Sequence, residues 1–191
     1  MQIHGLHSEL VEFHALDDAQ LAEIQKHQNQ DTNTDLKLEL SELLESELPW
    51  APLTLEQVKA KFEELQKENR KSVFGIWAKN RFVGLGYFAA DWDPWSPFIA
   101  VLIWPAHRRN GFGSETAKLL LRAAFEHSIA HVVECTVPEW NPAGIAFAES
   151  LGFKRAGAER RSGVIGGKFY DRLFFDMLRS EFDELRSKGQ V

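Results

Sequence analysis

The stretch "HRRNGFGSETAKLLLRAAF", residues 107–125, decides how this chain folds. Two arginines run into Gly111-Phe112-Gly113, and a helical pattern follows at once over 113–129. Ala117, Leu120, Leu121, Ala124, Phe125 and Ile129 fall on one stripe of the ~3.6-residue period. Upstream, "FIAVLIW" (98–104) is apolar throughout and ended by Pro105, as expected of a strand covered on both faces. Downstream, "HVVECTV" (131–137) reads as the next strand. Strand, helix, strand in that order is a βαβ unit, so the two strands should be parallel. The glycines let the backbone turn so that successive N–H groups point into one space, with the positive end of the helix dipole behind them. Such a turn suits an anion, and Arg108 and Arg109 stand beside it.

Outward from this unit the chain is α/β (α+β type). "LVEFHAL" (10–16) reads as a strand, and Asp17 and Asp18 cap a helix carrying Leu21 and Ile24. Residues 31–48 alternate and then turn helical, and the reading is mostly helix. In "TLEQVKAKFEELQKE", Thr54 and Gln57 make a capping box, and Leu55, Val58, Phe62 and Leu65 recur at helical spacing. "SVFGIWAK" and "FVGLGYFAA" form a hairpin joined at Asn80-Arg81. Asn141-Pro142 opens a short helix that Gly152 closes. Strands at about 153–161 and 168–178 finish a mixed, mostly antiparallel sheet, with the "SGVIGG" turn between them.

Composition narrows the function. The 191 residues suffice for one domain over 1–191, and 44% hydrophobic residues supply its core. A net charge of −6 argues against a nucleic-acid partner, which wants a basic face. No stretch approaches the length of a membrane span, and the N-terminal "MQIHGLHSEL" lacks the basic and apolar regions of a secretion signal. One cysteine, Cys135, rules out an internal disulfide, and the expected setting is a reducing cytoplasm. Within an apolar strand it reads as a small core residue rather than a nucleophile. His127 and His131 flank a helix end without a third ligand, so no metal site is expected.

Three phosphate-binding motifs compete for the glycine turn. A nucleoside-triphosphate loop needs Lys-Ser/Thr after its second glycine, where this chain has Ser114-Glu115. A dinucleotide fingerprint needs a third small residue where Thr116 stands. Arg108-Arg109-Asn110-Gly111-Phe112-Gly113 matches Arg/Gln-X-X-Gly-X-Gly/Ala, whose nest suits the pyrophosphate of coenzyme A. On this segment, on "VPEWNPAGIAFAESLGF" with Asn141, Glu149, Gly152 and Phe153 in place, and on the closing "GGKFYDRLFFDMLRSEF", the chain resembles the GNAT acyl-CoA N-acyltransferases. It looks most like the branch containing the ribosomal-protein N-terminal acetyltransferases. The resemblance runs over about 72–180.

That resemblance implies a GNAT fold, in which two central parallel strands splay apart and helices flank the sheet. It implies acetyl-CoA as cosubstrate, with the pantetheine arm on the exposed backbone of Val101 and Ile103 and the phosphates at Arg108, Arg109, Asn110, Gly111, Phe112, Gly113 and Ser114, with Asn141 nearby. It implies direct attack by a primary amine, on a small molecule or a protein N-terminus, in a monomer or homodimer. A lysine-type amine must shed a proton against about 4–5 kcal/mol at pH 7, a protein α-amine against only ~1.4 kcal/mol. The family's customary helpers are missing: the strand before the turn has no acid, position 148 is Ala where many relatives have Tyr, and position 144 is Gly where the related branch has Ser. Glu134 and Tyr170 are the substitute catalytic candidates. Asp91, Trp92, Asp93 and Trp95 in "ADWDPWSP" are the candidates for receiving a cationic amine. The missing side chains keep a non-catalytic acyl-CoA-binding or regulatory module as the alternative.

Overall fold

The computed structural model describes residues 8–30, 34–43, 51–67, 71–90 and 93–191. Strand β1 (Glu12–His14) leads into helices α1 (Asp18–Gln30), α2 (Thr34–Leu43) and α3 (Leu55–Lys67). Strands β2 (Lys71–Ala78), β3 (Arg81–Ala89) and β4 (Phe98–Ile103) follow, then a 3-10 turn (Pro105–His107) and α4 (Phe112–His127). β5 (Val132–Pro138), α5 (Pro142–Ser150), β6 (Lys154–Ile165), β7 (Lys168–Leu178) and α6 (Arg179–Ser187) complete the chain. Local chemistry starts these helices. Asp17 Oδ1 accepts the N–H of Ala19 at 2.7 Å and of Gln20 at 3.3 Å. Thr54 and Gln57 form the reciprocal box, at 2.8 Å and 3.2 Å.

The strands form one sheet in the order β1-β2-β3-β4-β5-β7-β6. All described pairings are antiparallel except β4 with β5. β4 pairs with β3 along its length, from Gly84↔Ile103 to Ala89↔Phe98. With β5 it shares the single pair Phe98↔Glu134, where the Glu134 N–H donates to Pro97 O at 3.0 Å. Beyond that point the two strands diverge and leave a gap in the middle of the sheet.

Two apolar layers hold β4 in place. Leu102 and Trp104 enter the core that Ile24, Leu36, Leu40, Val58 and Phe62 of α1–α3 build on one face. Ile99 enters the opposite core, made by α4, α5, α6, β5 and β7. Each such side chain removed from water contributes about 1.5–3 kcal/mol. Trp104 is only 2% exposed, stacked on His27 at 4.5 Å with Phe82 edge-on at 5.5 Å. β4 is therefore fixed on both faces while one of its edges lies open.

Several expected boundaries move. The β2–β3 turn is Lys79-Asn80, both at positive φ (50° and 60°), and Arg81 already pairs with Ala78. α4 begins at Phe112 and ends at His127, so Ile129 lies beyond the helix and is 55% exposed rather than part of its stripe. "SGVI" continues β6 to Ile165, and only Gly166-Gly167 turn. Within the expected helix over 31–48, Thr34–Leu43 form α2; residues 31–33 and 44–48 lie outside the described set. Among the described residues, no helix is long and apolar enough to cross a membrane.

Candidate active site

The glycine turn closes the C-terminal end of β4. Gly111 is the N-cap of α4 at φ 82°, a left-handed conformation that only glycine adopts freely, and Arg109 before it has φ 61°. The first intrahelical bond runs from the Glu115 N–H to Gly111 O at 3.0 Å. The N–H groups of Phe112, Gly113 and Ser114 thus precede the helical ladder and have no acceptor within it. Phe112 packs its ring beside the cluster of Val11, Ile76, Ala78, Val83 and Leu119, which anchors the helix start. Gly113 is different. A Cβ there would lie at ordinary contact distance from Ile103 (3.5 Å) and Phe147 (3.6 Å), so neither φ nor packing demands glycine. Its missing side chain leaves space between β4 and α5, beside the row of N–H groups. That space and those donors fit a phosphate-bearing chain.

Backbone alternation places the other expected contacts. The Trp104 N–H donates to Val83 O at 2.9 Å, toward β3. Alternation then turns the backbone groups of Val101 and Ile103 the other way, into the gap. β5 offers them no strand partner. An amide-rich arm such as pantetheine could use that edge as a neighbouring strand would.

The arginines divide their roles. Arg109 is exposed beside the turn. Arg108 turns inward: its Nε donates to Ile103 O at 2.8 Å and its Nη2 to Glu39 at 2.5 Å. Asn110 folds back on its own loop, its Nδ2 donating to His107 O and Arg108 O. Asn141 accepts the Gly144 N–H on Oδ1 at 2.9 Å, capping α5, and donates from Nδ2 to Glu39 Oε1 at 3.2 Å. A Cβ at position 144 would stand 2.8 Å from Asn141 Nδ2 and 2.9 Å from Val137, so a side chain there requires those groups to shift. That is the local reason for glycine at 144.

The two substitute catalytic candidates stand apart from one another. Glu134 stands at the closed end of the gap, paired with Phe98 and with Asp176 across β7. Tyr170 has its hydroxyl over Gly163 in β6, where a Cβ would be 2.3 Å away, and its ring edge-on to Trp140 at 6.3 Å. That directs the hydroxyl to the far side of β7 from the gap. Asp93 Oδ1 accepts the Trp95 N–H at 2.9 Å, and Asp93 O accepts the Ser96 N–H at 3.0 Å, so this acid organises its own turn. Trp95 is 49% exposed and lies against His131 at 5.0 Å. Its carbonyl accepts from His131 and Val132, which puts this loop at the closed end of the gap, opposite the glycine turn. Asp91 and Trp92 lie outside the described residues. Burial, with Asp176 adding to it, pushes the Cys135 thiol up to about 12, so thiolate is scarce at neutral pH. No group of three or more His, Cys, Asp or Glu among the described residues could hold a metal ion.

The residue that sequence reading missed is Glu39. It joins Arg108 to Asn141 from α2, yet it sits among Glu42, Glu45 and Glu47 in a segment whose pattern is ambiguous. Among its described side chains, Leu36 and Leu40, both fully buried, set the rotation of that helix. Nothing in the spacing singles out one glutamate from the others.

A mixed sheet with one splayed parallel pair, and a backbone nest at the mouth of the gap, is the architecture of an acyl-CoA-dependent acetyltransferase. The model of the acetyltransferase (GNAT) domain matches residues 11–154, and the chain belongs to the GNAT acetyltransferase family. It is 27% identical over 134 residues to the SPbeta prophage-derived uncharacterized N-acetyltransferase YokL of Bacillus subtilis (strain 168), covering 63% of this chain and 68% of that one. A spermidine N-acetyltransferase from Vibrio cholerae, solved with CoA and spermine, superimposes with a TM-score of 0.74 at 19% identity over 92% of this chain and 99% of that one. The ribosomal L7/L12 alpha-N-protein acetyltransferase RimL, solved with coenzyme A, gives 0.69 at 15% identity over 90% and 95%.

Proposed function

We propose that this protein, as one domain, transfers an acetyl group from acetyl-CoA to a primary amine by direct attack. The observation that carries this reading is the gap itself. One open strand edge, at Val101 and Ile103, runs to a row of N–H groups at the start of α4. The phosphates would lie on the N–H groups of Phe112, Gly113 and Ser114, and the pantetheine amides along β4. Arg109 supplies exposed charge beside them. In the reaction a neutral amine forms the new N–C bond as the C–S bond breaks, the thiolate takes up a proton, and the amine loses one. An acyl-enzyme at Cys135 has no support, because its thiol stays protonated. A single cysteine, which allows no internal disulfide, fits a cytoplasmic protein.

The acceptor class follows from the proton that must leave. The β4 wall, from Phe98 to Ile103, carries no ionisable side chain. Without a base there, an α-amine that costs ~1.4 kcal/mol to deprotonate at pH 7 is a better acceptor than an alkyl amine that costs about 4–5 kcal/mol. Protein N-termini and α-amines of small molecules are therefore favoured over polyamines. Release of free thiol from acetyl-CoA, measured at pH 7 with a peptide N-terminus, a lysine side-chain analogue and spermidine, tests this. Faster turnover of the peptide is expected, with the difference narrowing at pH 9. Binding of coenzyme A with no thiol release for any amine would instead make the chain a non-catalytic acyl-CoA-binding module.

A further inference from the structure

Glu39 occupies a place that the coenzyme A reading does not use. Its α2 helix packs Leu36 and Leu40 into the core beside β4. Its own side chain is 17% exposed and reaches both sides of the open end of the gap. Oε2 receives Arg108 Nη2 at 2.5 Å, and Oε1 receives Asn141 Nδ2 at 3.2 Å. Arg108 passes the chain of hydrogen bonds to Ile103 O at the end of β4. Asn141 passes it to the Gly144 N–H in the first turn of α5. The open end of the gap is thus spanned by four consecutive hydrogen bonds with Glu39 at their centre. The closed end is held by the Glu134–Pro97 bond.

The chemistry of this bridge requires a carboxylate. Guanidinium offers donors alone, and the Asn141 amide presents its NH₂ because its oxygen is taken by Gly144. A glutamine at 39 has one acceptor oxygen, so one of the two donors would face its NH₂. Two independent groups, Arg108 in the loop after β4 and Asn141 at the start of α5, are therefore oriented by one side chain from a third element.

We propose that Glu39 is a positioning residue for the coenzyme A groove. It fixes the Asn141 amide and the Arg108 guanidinium across the mouth of the gap and thereby sets the width and polarity that the pantetheine arm meets. The proposal rests on the coenzyme A reading above, and the test separates the two. Coenzyme A affinity is measured by calorimetry for wild type, Glu39→Gln, Asn141→Ala and the double variant, alongside the Michaelis constant for acetyl-CoA and the maximal rate.

Glu39→Gln should weaken binding about tenfold, the loss expected for one hydrogen bond to a charged group. It should raise the Michaelis constant more than it lowers the rate. In the Asn141→Ala background the same change should cost severalfold less, since the Asn141 orientation is already gone and only that of Arg108 is left to lose. A merely structural docking of α2 would instead give equal losses in both backgrounds, and that additivity overturns the proposal. So does a Glu39→Gln protein that binds within about twofold of wild type. If wild type itself does not bind coenzyme A, the underlying reading falls first and this inference with it. Should Glu39→Gln not fold, Glu39→Asp enters the same cycle: it keeps the charge but is one methylene too short to reach both donors.

Discussion

At the scale of single residues, the two glycines of the turn are not equivalent. Gly111 answers to the backbone: at φ 82° any side chain adds about 1–2 kcal/mol of strain, so its substitution confounds folding with binding. Gly113 answers to the ligand. Its alanine variant meets only ordinary contacts at Ile103 and Phe147 and gains helix propensity. Gly113→Ala, which the motif itself admits, should therefore unfold no earlier than wild type and bind within about twofold, whereas the bulkier Gly113→Val should bind coenzyme A at least about tenfold more weakly, a loss of ~1.4 kcal/mol. Calorimetry beside a thermal melt reads both, and undiminished affinity in the valine variant would remove Gly113 from the phosphate nest. Cys135 gives the complementary case. With its thiol pushed up to about 12 by burial, Cys135→Ala should keep most of the turnover and show no trapped acyl group by mass spectrometry. A fold-intact variant without activity would refute direct transfer.

At the scale of elements, α6 shows how a short helix is held. Its Phe182 is 1% exposed in the α4–β7 core, and Glu181 caps it by accepting the Leu178 N–H at 2.9 Å. The hydrogen bond from Lys154, then that backbone bond, hold the Glu181 carboxyl below the usual glutamate range. A folded value below the unfolded one means that the contribution is present above the unfolded pKa, about 4.3, and is lost as pH falls through the folded value. Glu181→Ala should cost about 1 kcal/mol at pH 7, a drop of roughly 2–4 °C in Tm. The gap between variant and wild type should narrow in melts taken at successively lower pH, and a constant difference would mean that the carboxylate charge plays no part. Elements were also where the sequence was most readable. The βαβ order, the Thr54–Gln57 box and the Asn141-Pro142 start each rest on contacts between near neighbours. What escaped depends on distant partners. β6 runs on through "SGVI" because β7 pairs with it, and its exposed residues leave no alternation to read. Ile129 keeps helical spacing after the helix has ended at Ser128, whose backbone is extended. The Glu39 bridge crosses 69 positions to Arg108 and 102 to Asn141, beyond the reach of any local pattern. Tyr170 could be placed in a strand from the sequence, but not on the side of that strand away from the gap.

At the scale of the whole molecule, the gap divides the sheet into two halves with separate cores. α1–α3 pack under β2–β4, while α4–α6 pack with β5 and β7. The halves meet through α4, the closed-end pair Phe98↔Glu134 and the Glu39 bridge. A ligand arm bonded along β4 would complete the sheet, so binding should register as protection of particular amides. The Trp104 N–H is already bonded to Val83 O, and the Glu134 N–H to Pro97 O; both should exchange slowly with or without ligand. The Val101 and Ile103 N–H groups face the gap without a strand partner and should exchange faster in the ligand-free protein. Saturating acetyl-CoA should slow exchange at Val101 and Ile103 selectively and leave Trp104 unchanged. At about 100 times the dissociation constant it should also add ~2.7 kcal/mol to stability, or roughly 5–10 °C in Tm. Residue-resolved amide exchange by NMR makes the comparison. Stabilisation without any change at Val101 and Ile103 would place the cosubstrate away from the β4 edge, and the splayed strands would then need another explanation.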